Sequence, residues 1–196
     1  MLILASASPR RQDLLRAAGI PFEVEPTDVP EIPQPGEHPN ACAERLAHEK
    51  AAFIARQRPN DLVLGADTIV VVNGEMLAKP ADPRDAARML RLLSGRPHQV
   101  ITGVCLIGSE ARTENRELRT FEDIRSETTT VFMDSLRDAD IHSYVATGEP
   151  MDKAGAYAIQ GMASRWIPRI EGDYSNVVGL PVALVYRMLR KHGAES

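Results

Sequence analysis

Apolar positions recur along this chain with two different periods, and the switches between them mark out its elements. The run from Met1 to Ala5 reads as a short buried strand ending in the turn Ser6-Ala7-Ser8-Pro9. Ser8 is placed to cap the helix that follows, and Pro9 to fill its first position, where no N–H is needed. Leu14, Leu15 and Ala18 give that helix an apolar face, and Gly19 is placed to stop it. Phe22 to Glu25 reads as a second strand, and the proline-rich, acidic stretch from Pro26 to Pro39 as a long surface loop. A helix is predicted from Asn40 to Arg58, where Ala43, Leu46, Ala47, Phe53 and Ile54 recur at helical spacing. The strongest strand signal runs from Leu62 to Val72 and ends in an Asn73-Gly74 turn.

Asp82-Pro83 opens a helix carried by Ala86, Ala87, Leu90 and Leu93, with Gly95 after it. Two further β-rich runs follow, from Val100 to Ile107 and from Thr128 to Met133, and the charged segment Gly108 to Glu127 between them reads as an exposed hairpin or loop. A helix near Ser135 to Ala146 leads into a segment of low hydrophobicity, Thr147 to Gly161. The chain closes with Ile170 to Leu180 and a helix from Pro181 to Lys191. No repeat or flexible linker interrupts this order. One α/β domain over residues 1–196 is expected, a mixed twisted sheet with flanking helices, pinched into two lobes around a cleft.

Composition narrows the function classes. A net charge of -4 speaks against a nucleic-acid partner, which calls for a basic stripe. No apolar segment approaches the length of a membrane span, and the start of the chain lacks the basic region and long apolar run of a signal peptide, so a cytoplasmic location with no membrane partner is expected. Cys42 and Cys105 lie outside any metal spacing and read as buried, inert thiols. The five histidines show no ligand spacing.

Three features resist a purely structural reading. Arg10 and Arg11 stand in the first turn of a helix, where cations oppose the dipole. Either they are solvated and mildly unfavourable, or a polyanion sits between them and the helix amides, paired with the guanidinium groups. Asp67 lies in the middle of an apolar strand, where an ionised carboxylate is costly without a cation or strong donors. Either a metal ion partners it, or it sits at a strand end or bulge and caps a loop. Lys50 follows Leu46 by four residues and precedes Ile54 by four, on the apolar stripe of its helix. It either snorkels to water or points from a buried face at a phosphate site. Lys79, before Pro80, says less by itself. The mixture of charges and glycines from Glu149 to Gly161 fits backbone approaching a ligand closely, and fits an ordinary loop equally well. No Walker loop, GxGxxG element or Ser-His-Asp arrangement is present. Taken together, the residues point to a metal-assisted, phosphate-binding site and leave the compound open.

At this stage the sequence resembles the Maf nucleotide pyrophosphatases. The resemblance rests on Ser6-Ala7-Ser8-Pro9-Arg10-Arg11, on Gly65-Ala66-Asp67-Thr68 with Lys79-Pro80, and on Thr102-Gly103-Val104. It continues through Gly148-Glu149-Pro150-Met151-Asp152-Lys153-Ala154-Gly155-Ala156-Tyr157, Ile159-Gln160-Gly161, and Gly172-Asp173-Tyr174-Ser175-Asn176-Val177-Val178-Gly179-Leu180-Pro181, so that it covers nearly the whole chain. It implies a mixed α/β fold similar to the inosine triphosphate pyrophosphatases, a homodimer, a divalent cation (Mg²⁺ or Mn²⁺), and cleavage of a nucleoside triphosphate between its α and β phosphates.

Carried over by motif, Asp67 resembles the catalytic carboxylate, as general base or metal ligand, and Glu31 a glutamate near the metal. Ser8, Arg10 and Arg11 resemble phosphate and base contacts, and Lys50 and Lys79 the groups that hold the triphosphate. Arg10, Thr68 and Gln160 stand where the branch acting on dTTP and UTP has Arg, Thr and Gln, and a glutamine amide offers a pyrimidine edge a donor and an acceptor together. The rival readings are a 7-methyl-GTP pyrophosphatase of a sister branch and a nucleotide-binding regulator of cell division that performs no hydrolysis.

Overall fold

The computed structural model of the protein describes residues 1–111 and 118–194. In chain order its elements are β1 (Leu2–Leu4), α1 (Pro9–Ala17), β2 (Glu23–Val24), α2 (Pro39–Ala55), β3 (Leu62–Val72) and β4 (Glu75–Leu77). Then come α3 (Pro83–Leu93), β5 (Pro97–Ala111), β6 (Leu118–Phe132), α4 (Asp138–Ala146), β7 (Arg169–Glu171), α5 (Tyr174–Val178) and α6 (Val182–Lys191). The strands form a seven-stranded sheet in the order β2-β1-β3-β5-β6-β7, with β4 on β3. The sheet is mixed. β1 runs parallel to β2 and β3, placing Ile3 opposite Glu23 and Val63, while β4 lies antiparallel to β3 and β7 antiparallel to β6.

The chain divides into two compact units, and β3, β5 and β6 each contribute to both. The first holds residues 1–67, 102–127 and 179–196. Along β3 successive side chains face opposite sides of the sheet. Leu64 and Ala66 therefore share one side, packed with Leu15 of α1 and with Val185, Met188 and Leu189 of α6. Val63 faces the other side, against Ala47, Ala51 and Ile54 of α2. Two glycines bring α2 unusually close to the sheet. A Cβ on Gly65 would stand 2.2 Å from the backbone oxygen of Ala47, and one on Gly103 of β5 would stand 2.2 Å from that of Ala43. Cys42 and Cys105 are both buried in this unit, and burial pushes each thiol up to about 12. Inert thiols are what this implies.

The second unit holds residues 68–101 and 128–178. Its core gathers Val70 and Val72 of β3, Ala86, Leu90 and Leu93 of α3, and Ile141 and Tyr144 of α4. Asp82 caps α3 by accepting from the Asp85 amide at 2.8 Å, with Pro83 at the first helical position as its sequence requires. The segment from Thr147 to Gly161 holds two short 3-10 turns, Glu149–Asp152 and Ala154–Ala156. Its close backbone approach is to β3: Gly155 adopts φ +69°, and a Cβ there would lie 2.9 Å from the methyl carbons of Val70.

Several sequence expectations change. The charged segment from Gly108 to Glu127, expected as an exposed hairpin or loop, is strand at both ends, since β5 continues to Ala111 and β6, its neighbour in the sheet, begins at Leu118; residues 112–117 lie outside the described residues. Inward-facing Asp123 explains the persistence of β6, because it accepts from Lys191 at 2.8 Å and Arg125 at 2.9 Å, with His192 at 3.1 Å. Ser8 and Pro9 hold the expected first positions of α1, but the Ser8 hydroxyl makes no capping hydrogen bond. Among the described residues, no helix is long and apolar enough to cross a membrane.

Candidate active site

The register of β3 against α2 places the central group. Asp67 lies two residues beyond Gly65 and so projects from the same side of the strand, toward α2. Lys50 lies on the buried stripe of α2, with Leu46, Ala47, Ala51 and Ile54 buried around it. The tight seat at Gly65 brings these two faces together. Lys50 Nζ donates to Asp67 Oδ1 at 2.5 Å and to Glu31 Oε1 at 2.7 Å. Lys50 and Asp67 are each 5% exposed, so the ammonium does not snorkel, and the strand aspartate has the cation its burial demands.

Glu31 reaches this point from the loop before α2, which is anchored by Arg45. The Arg45 guanidinium grips both carboxylate oxygens of Glu37, at 2.7 and 2.8 Å, and donates to the Ile32 carbonyl at 3.1 Å, next to Glu31 in the chain. These bonds hold the Glu37 carboxyl far below the usual carboxylate range, at about 2. Arg45 and Glu37 carried no signal in the sequence beyond ordinary charge.

Arg11 is the second buried cation of this unit. It donates from Nε to the Gly179 carbonyl at 2.8 Å, and from Nη1 to the Ala66 carbonyl at 2.8 Å and Ser6 Oγ at 3.0 Å. It thereby ties the turn before α1 to the residue preceding Asp67. Burial lowers its pKa, and the Asp67 and Glu31 carboxylates oppose that shift. A guanidinium remains charged under such a shift. Ser6, named in the sequence only as part of its motif, has a hydroxyl that also accepts the Ser8 amide at 3.3 Å. Ser8 and Arg10 flank this group half-buried.

The structure thus brings together Glu31, Lys50, Asp67 and Arg11 within the first unit. Thr68, Lys79 and Gln160 belong to the second unit. Thr68 is half-buried, while Lys79 and Gln160 are exposed. Gln160 is the third residue of a turn closed by the Gly161 amide on the Ala158 carbonyl at 3.1 Å. Both flanks of that turn are held by residues the sequence did not single out for such a role. Tyr144 Oη accepts the Ala158 amide at 3.2 Å, and the Glu149 carboxylate accepts the Met162 amide at 3.2 and 3.3 Å.

Among the described residues no group of three or more His, Cys, Asp or Glu side chains converges as a metal cage. Two carboxylates do converge, Asp67 and Glu31, on the point now held by the Lys50 ammonium. Their hard oxygen donors suit a cation such as Mg²⁺, which needs only one or two carboxylates when phosphate oxygens complete its shell.

A dTTP/UTP pyrophosphatase of Koribacter versatilis is 56% identical over 192 residues, covering 98% of this chain and 94% of its own. A dTTP/UTP pyrophosphatase of Geobacter metallireducens is 50% identical over 193 residues, covering 98% and 96%. The solved Ham1 protein of Staphylococcus aureus is 16% identical, with a TM-score of 0.46 over 97% of this chain and 98% of that one. The family model described as Maf-like protein matches residues 1–192, and the chain belongs to that family.

Proposed function

We propose that this protein hydrolyses the pyrimidine nucleoside triphosphates dTTP and UTP between the α and β phosphates, releasing the monophosphate and pyrophosphate. The observation that carries the reading is the buried Asp67–Lys50 pair, with the exposed Glu31 on its outer side and Arg11 beside it, a balanced set of charges suited to meeting a charged ligand. The names of the two relatives, alike over nearly the full chain, support the substrate class.

In this reading Asp67 accepts the proton of the attacking water. Lys50 turns its ammonium from the carboxylates to the phosphates, and with Arg11 stabilises the charge that grows on the leaving oxygens. Ser8, Arg10 and the first-turn amides of α1 bind phosphate oxygens, since the helix N-terminus presents unpaired donors. Thr68 and Lys79 complete the triphosphate contacts, and the Gln160 amide meets the pyrimidine edge with a donor and an acceptor. Asp67 and Glu31 would hold a divalent cation, Mg²⁺ or Mn²⁺, which when bound neutralises phosphate charge. A cytoplasmic homodimer, with neither nucleic acid nor membrane as partner, belongs to the same reading.

The test is an incubation of the purified protein and Mg²⁺ with dTTP, UTP, CTP and 7-methyl-GTP, with phosphate products resolved. Monophosphate and pyrophosphate from dTTP and UTP are expected. Preference for 7-methyl-GTP would move the chain to the sister activity, and binding without turnover of any of the four would make it a nucleotide-binding regulator.

A further inference from the structure

The turn that carries Gln160 is clamped at both ends by one pair of side chains. Tyr144, fully buried on α4 with its ring edge-on to Trp166, donates its hydroxyl to Glu149 Oε1 at 2.8 Å and accepts the Ala158 amide at 3.2 Å. Glu149 in turn accepts the Met162 amide on both oxygens. Ala158 and Met162 are the residues two before and two after Gln160. Glu149 is itself fixed through its backbone, because its amide donates to Thr147 Oγ1 at 3.1 Å and its carbonyl accepts from Lys153 Nζ at 2.6 Å.

The sequence makes room for this clamp at Gly161. Its φ of -100° is open to any residue, so conformation does not demand glycine there. Space does. A Cβ at Gly161 would fall 2.0 Å from Glu149 Oε1 and 2.6 Å from Cδ, so the carboxylate lies against the α-carbon of the residue next to Gln160. The clamp costs a carboxylate partly removed from water, which is offset by the donors of Tyr144 and Met162. A side chain that selects among bases by a donor and an acceptor must be held to a few tenths of an ångström, and Gln160 itself is exposed. Its precision comes from the backbone beneath it.

We infer that Tyr144 and Glu149 are positioning residues that set base selectivity by fixing the Gln160 turn. This rests on the reading that Gln160 meets the base. In that reading the pair acts through the turn and not on the phosphates, so its effect falls on discrimination and KM rather than on kcat.

The experiment measures kcat and KM for dTTP, UTP and CTP with wild type, Tyr144→Phe, Glu149→Ala, Glu149→Gln and Gln160→Ala, alongside thermal melting. Tyr144→Phe removes only the hydroxyl and Glu149→Gln keeps an acceptor. The expected result for Tyr144→Phe and Glu149→Ala is a three- to tenfold rise, roughly, in KM for dTTP with kcat near wild type, the scale of one or two lost hydrogen bonds. Their preference for dTTP over CTP falls toward that of Gln160→Ala, and Glu149→Gln recovers most of it. Adding Tyr144→Phe to Gln160→Ala lowers selectivity no further. Reduced melting temperature with unchanged base preference would overturn the inference and leave the pair merely structural. Unaltered preference in Gln160→Ala would overturn it too. Failure of the wild type to hydrolyse dTTP would instead remove the proposed function.

Discussion

Lys50 donates to Asp67 across 2.5 Å with its side chain 6% exposed and that of Asp67 8% exposed. Neither residue is tolerable alone at that depth, since an unpartnered buried charge costs several kcal/mol, about 3–5 kcal/mol when one member of a pair is removed. Charge and shape can nevertheless be separated experimentally. Asp67→Asn keeps the volume and an acceptor oxygen for Lys50, and Glu31 remains as a charged partner. Turnover of dTTP is expected to fall on the order of 10²- to 10⁴-fold, the range of a lost general base. Circular dichroism is expected to stay unchanged. A variant with near-wild-type kcat would remove Asp67 from the chemistry.

Competition between Lys50 and a divalent cation follows from the same distances. The ammonium sits where two carboxylates converge, at 2.5 and 2.7 Å, so a metal ion and Lys50 cannot share that point. Without nucleotide to draw Lys50 away, the protein is expected to bind Mn²⁺ weakly. Lys50→Met removes the competitor while keeping an apolar stem on α2. Its Mn²⁺ affinity in the absence of nucleotide is expected to rise by roughly tenfold, equivalent to ~1.4 kcal/mol. Titration calorimetry reads this directly, and equal affinities would place the metal elsewhere. Activity of the variant is expected to fall, since the phosphates lose a cation.

Gly65 sets the distance between α2 and β3 on which the pair depends. Gly65→Ala forces a carbon into the 2.2 Å gap before the Ala47 carbonyl, and backbone cannot yield as a side chain tip would. The expected cost is about 1–3 kcal/mol or somewhat more, measured by urea unfolding. Because the helix must lift, Lys50 also moves from Asp67, and kcat is expected to drop further than stability alone dictates. Full activity in the folded fraction would show that the seat at Gly65 governs stability only.

Much of this arrangement is visible in the sequence as broken rules. β3 shows itself between Leu62 and Val72 because eleven residues carry a strong apolar pattern, and Asp67 breaks that pattern. Lys50 breaks the apolar stripe of α2 in the same way. Each alone admits a bland reading, and only the crossing of helix over strand turns two anomalies into one pair. That crossing depends on Gly65 and Gly103, whose packing is not legible, since a glycine within a strand also marks bulges and bends. Arg11 is legible as an out-of-place cation, yet its bonds to Gly179 and Ala66 come from distant segments that local pattern does not connect. The strands at the ends of the charged hairpin region are illegible for a different reason. Exposure makes alternating charge look like loop, while sheet pairing and the Asp123 contacts hold it in strand.

His98 offers a test by pH. It is 3% exposed, shares a 2.7 Å hydrogen bond with the Tyr157 hydroxyl, and lies edge-on to that ring at 5.3 Å. Burial holds its imidazole below the ordinary value of 6.5, at about 4. In the unfolded chain the ring takes a proton near pH 6.5, whereas in the folded protein it resists until about pH 4. The unfolded state therefore binds more protons between these values, and stability is full above the higher one and declines as pH falls through the window. Between about pH 7.5 and pH 5 the loss from this residue is about 2 kcal/mol. Glu37 and Asp123, whose folded pKa values are depressed, lose their contributions only as pH falls below the ordinary carboxylate range, so they leave this window clear. His98→Gln keeps a hydrogen-bonding partner for Tyr157 and has no proton to take up. Its unfolding free energy is expected to change less between the two pH values by that amount, and equal slopes for variant and wild type would show that His98 is accessible to protons in the native state.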